Sequence, residues 1–387
     1  MYKIQTLNKI SPIGLEHFSR DLYEVASEIL HPDAIIARSY NMLEMELPHS
    51  LKVIARAGAG VNNIPVEKCS ERGIVVFNTP GANANSVKEL VLAGLLLSSR
   101  KIIHGINWTK TLVGRGDEVT KLIEAEKSKF AGPEIMGKKL GVIGLGAVGV
   151  MVANDAAALG MEVTGYDPFI SVESAWGLSR DIKRASGFDS LLANSDYISL
   201  HVPLSVETEG MINKEKFARM KKGVRLLNFA RGELINNKDL KDAVEYGTIG
   251  VYITDFPDED LLKMENVIAI PHLGASTPEA EDNCAIMAVK QVREFLERGN
   301  IINSVNYPDC QMDISGKKRI VIANKNVPTI VGQITSIFAS DGINIADMLN
   351  KSKKTTAYNI IDIDSEVSEQ SIQKIRNIKG VTMVRVI

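Results

Sequence analysis

The chain has 387 residues, 45% hydrophobic, 24% charged and 5% aromatic, with a formal net charge of −2. That length exceeds one hydrophobic core and predicts two or three domains. The near-neutral charge excludes a general attraction to nucleic acid or acidic membranes, so any anion site must come from a local cluster of cations.

Cys69, Cys284 and Cys310 are odd in number and without metal-type spacing, which predicts free thiols in a reducing, cytoplasmic setting. Residues 1–10 lack the apolar core of a signal peptide, and the longest apolar run, 90–97, is too short to span a bilayer.

Short β-rich runs at 3–6, 34–38, 52–56 and 75–78 alternate with helical stretches and predict βαβ units. Ser86-Val87-Lys88-Glu89 has the form of a capping box ahead of an apolar helix over 90–98. A second alternation starts at Lys138, with strands expected at 139–143, 162–166, 197–201, 225–229, 250–254 and 267–270, which suits a doubly wound sheet. Thr277-Pro278-Glu279 then opens a helix that Gly299 ends. Residues 306–317 read as a polar, turn-rich linker. The remainder, 318–387, carries the order βαββαβ of a ferredoxin-like fold.

Gly144-Leu145-Gly146-Ala147-Val148-Gly149 lies between a predicted strand and a predicted helix. Gly144 permits the turn, Gly146 lets backbone approach a pyrophosphate, and Gly149 lets the helix pack closely. Asp167 follows at the end of the next strand, where a carboxylate accepts ribose hydroxyls and repels a 2′-phosphate, favouring NAD.

Arg231 and His272 sit at later strand ends: a planar cation suited to a carboxylate and a base suited to a hydroxyl proton. An acid near Glu259 could hold the imidazole. Singly, an arginine in a strand-end loop or a lone histidine is ordinary; together they suggest oxidation of a hydroxy acid. Arg56-Ala57-Gly58-Ala59-Gly60 combines glycines with a cation and could bind a substrate anion, with Arg38 as a second cation.

GLGAVG, Asp167, NFARGE and PHLGAST together resemble the D-isomer-specific 2-hydroxyacid dehydrogenase family, over roughly residues 1–305. The resemblance implies an α/β chain in which a Rossmann-like NAD-binding domain (101–276) is inserted into a flavodoxin-like substrate-binding domain (1–100 and 277–305). It implies a catalytic set of Arg231, Glu259 and His272. Alignment on Phe256 selects Glu259, whereas counting from Asp255 selects Asp260. Asp255, Ala230 and Gly274 would flank the nicotinamide, His201 and Pro203 the adenosine half, and Thr79 a linked loop; Arg56, Gly58 and Asn83 would meet substrate.

The C-terminal unit resembles an ACT regulatory module, in which Asn324, Asn326 and Asn344 would hold an amino-acid effector such as serine; Asn324 stands where the family often has histidine. The expected activity is NAD-dependent oxidation of 3-phospho-D-glycerate to 3-phosphohydroxypyruvate, opening the phosphorylated route to L-serine. Alternatives are a dehydrogenase of glycerate or hydroxyglutarate, or a non-catalytic NAD-sensing scaffold. A homodimer or homotetramer is expected, with a small-molecule substrate and no metal, nucleic-acid or membrane partner.

Overall fold

The computed structural model describes residues 1–387. Its contacts divide the chain into two units, Met1–Asn83 with Pro278–Ile387, and Ala84–Thr277.

The first unit contains a five-stranded parallel sheet in the order Tyr23–Ala26, Tyr2–Leu7, Ala34–Ala37, Val53–Arg56, Val75–Phe77. This 2-1-3-4-5 arrangement is flavodoxin-like. Ala34–Ala37 and Val75–Phe77 are buried at every position, as strands covered on both faces must be. Ile36, Val53 and Ala55 face one core, which includes Ala285, Val289 and Val292 of helix Pro278–Arg298; Ile35, Ile54 and Val76 face the other. The helix ends as expected at Gly299, in the left-handed region at φ +70°.

The C-terminal module lies in the same unit. Its antiparallel sheet runs Ile345–Lys353, Thr356–Ile363, Lys318–Lys325, Val381–Val386, the ferredoxin-like order. One face, through Ile320, Ile322 and Ile361, packs on Ile334 of helix Ile330–Ser340 and Ile375 of helix Glu369–Arg376. The opposite face presents Val321, Ala323, Tyr358 and Ile360 to Phe295, Leu296 and Ile301.

The expected polar linker is therefore a packed seam. Tyr307 and Cys310 are fully buried in it, and the Asn306 amide bonds Val76 N, Ile74 O and Ser70 Oγ. Polar composition concealed this, because Asn306, Tyr307 and Cys310 turn inward whereas Ile314 stays exposed. Arg319 locks the seam: it grips Asp362 with two nitrogens at 2.7 and 2.8 Å and donates to the Arg298, Met312 and Asp313 carbonyls. Burial alone would raise the Asp362 pKa, but Arg319 and the Ser315 amide hold it below the usual carboxylate value.

The second unit carries a seven-stranded parallel sheet, Val267–Ala269, Ile249–Thr254, Val224–Asn228, Tyr197–Leu200, Lys139–Ile143, Glu162–Tyr166, Lys183–Arg184. Counted from Lys139–Ile143 this is 3-2-1-4-5-6-7, a Rossmann-like order whose switch point adjoins the Gly144 loop. Helix Ala84–Ser99 belongs to this unit: Val87, Val91 and Leu95 pack with Val142, Leu227 and Ile253. It starts before Ser86, so that residue caps nothing and its hydroxyl donates to Gly274 O at 2.8 Å. The tertiary bond competes successfully with the local one. No helix is long and apolar enough to cross a membrane.

Candidate active site

In the second unit the phosphate-type loop has the geometry its glycines require. Gly144 has φ +90°, and a Cβ there would come within 2.7 Å of the His201 backbone. A Cβ on Gly149 would lie 1.9 Å from Gly144 O, so the close approach admits glycine alone. Nothing stands within 4 Å of a Cβ built on Gly146, which precedes helix Ala147–Ala158 without a side-chain cap. The first N–H groups of that helix, at Ala147, Val148 and Gly149, have no intrahelical acceptor and suit an anion. Asp167 is set beside the loop by backbone: its two oxygens accept from Leu145 N and Phe169 N at 2.8 Å each, leaving lone pairs for ribose hydroxyls. His201 bonds Ser199 Oγ at 2.8 Å, and burial pushes its pKa down to about 4, so it is neutral near pH 7. Pro203 is exposed in the following loop.

The next strand ends present the candidate catalytic side chains. The buried Asn228 amide donates to Arg231 O at 2.8 Å, and its oxygen accepts from Ala230 N at 3.2 Å, which fixes the turn carrying Arg231. Arg231 folds back to donate to Ala230 O. Asp255 is 1% exposed. Its Oδ2 accepts from Gly274 N at 3.3 Å, whereas Oδ1 has no partner. Burial raises the Asp255 pKa, opposed first by His272 and more weakly by Arg231. The His272 ring is exposed and stacks obliquely on Phe256, with centroids 4.7 Å apart. A buried carboxylate oxygen without a donor is costly, and an amide such as the nicotinamide carboxamide would satisfy it. The open Gly146 cradle and this orphan oxygen thus both fit a dinucleotide.

Glu259 is placed otherwise than expected. It begins the short helix Glu259–Leu262, its side chain is 85% exposed, and it pairs with Lys263 at 2.7 Å. Asp258 caps this helix by accepting from Leu261 N, which turns the following residue outward. Asp260 is also exposed in that turn. The carboxylate that the structure brings to His272 is Asp255.

In the first unit, Arg56 donates to Arg38 O at 3.0 Å and to Gly60 O at 2.5 Å, and a Cβ on Gly58 would lie 3.1 Å from Arg56 Nη1. The loop closes around its own cation. Thr79 N donates to Gly58 O at 3.1 Å and Asn78 to Ala59 O, which ties this loop to the next strand end. Thr79 is fully buried, and the charges of Arg38 and Arg56 reach the adjacent Cys284, whose pKa burial raises. Arg38 is ion-paired with Glu281 at 2.5 Å. Asn83, half-buried, closes the first segment of the unit.

The family model for the NAD-binding domain of D-isomer-specific 2-hydroxyacid dehydrogenases matches residues 93–274. The chain belongs to this dehydrogenase family. It is 37% identical over 298 residues to D-3-phosphoglycerate dehydrogenase of Archaeoglobus fulgidus, covering 74% of the chain and 54% of the relative. The enzyme of that name from Methanocaldococcus jannaschii is 36% identical over 321 residues, covering 80% and 59%. The chain thus spans little more than half the length of these curated relatives. Among solved structures, NAD-bound 3-phosphoglycerate dehydrogenase of Entamoeba histolytica superposes with a TM-score of 0.60 at 26% identity, covering 79% of the chain and 98% of that structure. D-mandelate dehydrogenase of Rhodotorula graminis gives 0.65 at 25% identity, covering 79% and 97%.

The C-terminal module of this dehydrogenase-family chain does not gather the three expected effector residues. Asn324 is buried and accepts from Asn359, its amide donating to Lys325 O. Asn326, nearby, donates to Lys354 O. Asn344 donates to Asp364 at the opposite end of the sheet, beside the pair Ile345–Ile363. Six residue steps, from Ala357 opposite Asn324 to Ile363 opposite Ile345, separate the ends at roughly 3.3 Å each, so one module cannot close all three on one amino acid.

Sequence reading also missed Asn228 and Phe256. The first had a signal, an amide three residues before Arg231 at a strand end. The second had none, since its stacking on His272 joins two loops.

Proposed function

We propose that the chain oxidises 3-phospho-D-glycerate to 3-phosphohydroxypyruvate with NAD, as the names of its relatives suggest for a chain of this family. The observation that carries the proposal is the convergence of Gly144, Arg231, Asp255 and His272 at the strand ends of one Rossmann-like sheet. NAD, when bound, supplies the acceptor for the hydride leaving C2. His272 takes the hydroxyl proton, and the Asp255 charge favours the imidazolium that results. Arg231 holds the carboxylate and polarises the nascent ketone. In the first unit the Arg56 loop receives the phosphate, and Gly58 leaves room for the guanidinium that does so. The C-terminal module would hold a serine-like effector only in pairs, Asn324 and Asn326 coming from one copy and Asn344 from another. A homodimer or homotetramer in the cytoplasm suits this reading.

Steady-state reduction of 3-phosphohydroxypyruvate by NADH, against pyruvate, hydroxypyruvate and 2-oxoglutarate, tests it. The phosphorylated acid is expected to give the highest kcat/KM. Equal rates across the panel would remove the substrate assignment while leaving the dehydrogenase intact.

A further inference from the structure

A second cationic cleft lies within the first unit, on the seam between the parallel sheet and the C-terminal module. It encloses about 470 Å³. His49, Lys52 and Arg72 line it from one side, Arg376 and Arg385 from the other, and no carboxylate lines it at all.

Two of these cations have partners: Lys52 pairs with Asp33, and Arg376 with Glu369 at 2.5 Å. Arg72 and Arg385 do not form ion pairs. Arg72 donates to Leu47 O and Pro48 O at 2.6 and 2.9 Å. Arg385 donates to Phe295 O and Leu296 O at 3.1 and 2.7 Å, with its guanidinium 4.6 Å from the Phe295 ring centroid. Carbonyls and a ring orient these groups without cancelling their charge. The chain as a whole is slightly acidic, so this concentration of positive charge is local.

The cleft also offers backbone. Strand Val381–Val386 is an edge strand, paired on one side only with Lys318–Lys325, and residues 381–385 line the cavity. At its floor Gly73, with φ +73°, lets the two parts touch, because a Cβ there would come within 2.7 Å of Met383 Cβ.

We propose that this cleft binds a small phosphate-bearing anion, which fastens the C-terminal module to the parallel sheet. Guanidinium forks match the oxygens of a phosphate, and a cleft lined by one sign of charge focuses its field on a counterion. Without the anion, like charges face one another across the seam. With it, binding to the folded state adds stability by mass action.

The test measures binding by calorimetry and thermal unfolding of the full chain, with inorganic phosphate and 3-phosphoglycerate as probes and sodium chloride at matched ionic strength. Arg56→Met silences the other anion loop. On that background both the heat of binding and the rise in Tm are expected to persist. Adding His49→Ala and Arg376→Ala, both at exposed positions, is expected to weaken binding about tenfold or more. Arg72→Lys keeps the charge but not the fork, and serves as a milder variant should the double change perturb folding. Saturation by 3-phosphoglycerate identifies a phosphate ester as the occupant, and saturation by inorganic phosphate alone identifies the free ion; either supports the site. No saturable binding in Arg56→Met, or binding indifferent to the cleft substitutions, overturns it.

Discussion

The two glycine-bearing loops, Gly144–Gly149 and Arg56–Gly60, both follow parallel strands, yet their glycines serve opposite ends. Gly146 leaves open space before exposed helix N–H groups, whereas Gly58 leaves space that Arg56 fills. One loop suits an anion through backbone dipoles and the other through a side chain. A phosphate held by backbone tolerates no added Cβ; one held by an arginine tolerates no lost charge. Glycine spacing alone cannot distinguish them, since what matters is whether the vacated volume is empty or already taken.

The largest expected effect tests which unit performs the chemistry. His272→Ala should lower kcat about a thousandfold with NADH affinity unchanged by fluorescence titration; unchanged turnover would remove the base from the second unit. Next, Gly149→Ala forces a Cβ against Gly144 O and should weaken NADH binding about fiftyfold. Arg56→Met should leave NADH binding intact but raise KM for phosphohydroxypyruvate about thirtyfold, and for hydroxypyruvate far less. Equal losses for both ketoacids would make the first loop a carboxylate site.

Two smaller effects concern the second unit alone. Asp255→Asn should cost about tenfold in kcat/KM, and Glu259→Gln less than about threefold, as for an exposed ion pair; the reverse order would restore Glu259 as the histidine's partner. Last, His201 is neutral in the folded chain, with a pKa near 4 against 6.5 for the free side chain. Its stability contribution is therefore complete above pH 6.5 and lost as pH falls toward 4, because the unfolded chain binds the extra proton. Denaturant midpoints should fall over that window, and less steeply in His201→Gln.

The sequence made the sheets legible wherever apolar runs were long enough to show a period. It hid Tyr23–Ala26, a four-residue strand with one buried side chain, and Lys183–Arg184, too short for any pattern. Candidate site residues could be proposed from sequence where loop chemistry is local, as at Gly144, Arg231 and His272. The exposure of Glu259 was not legible, because one residue around a helix turns a side chain by about 100° and its direction depends on the Asp258 cap. Ser86 was misread because its partner, Gly274, lies 188 residues away.

The Arg319–Asp362 lock bears on how this module could be moved between proteins. A domain joined by a soluble tether can be cut off or grafted elsewhere, and both pieces remain dispersed. Here excision at the seam would uncover Val321, Tyr358 and Ile360 on one piece and Phe295 and Ile301 on the other, leaving two sticky faces and the Arg298, Met312 and Asp313 carbonyls without the Arg319 donors. Any shuffling event that donates this module must carry the end of helix Pro278–Arg298 and residues 299–317 with it. The inheritable unit is thus larger than the ferredoxin-like fold alone.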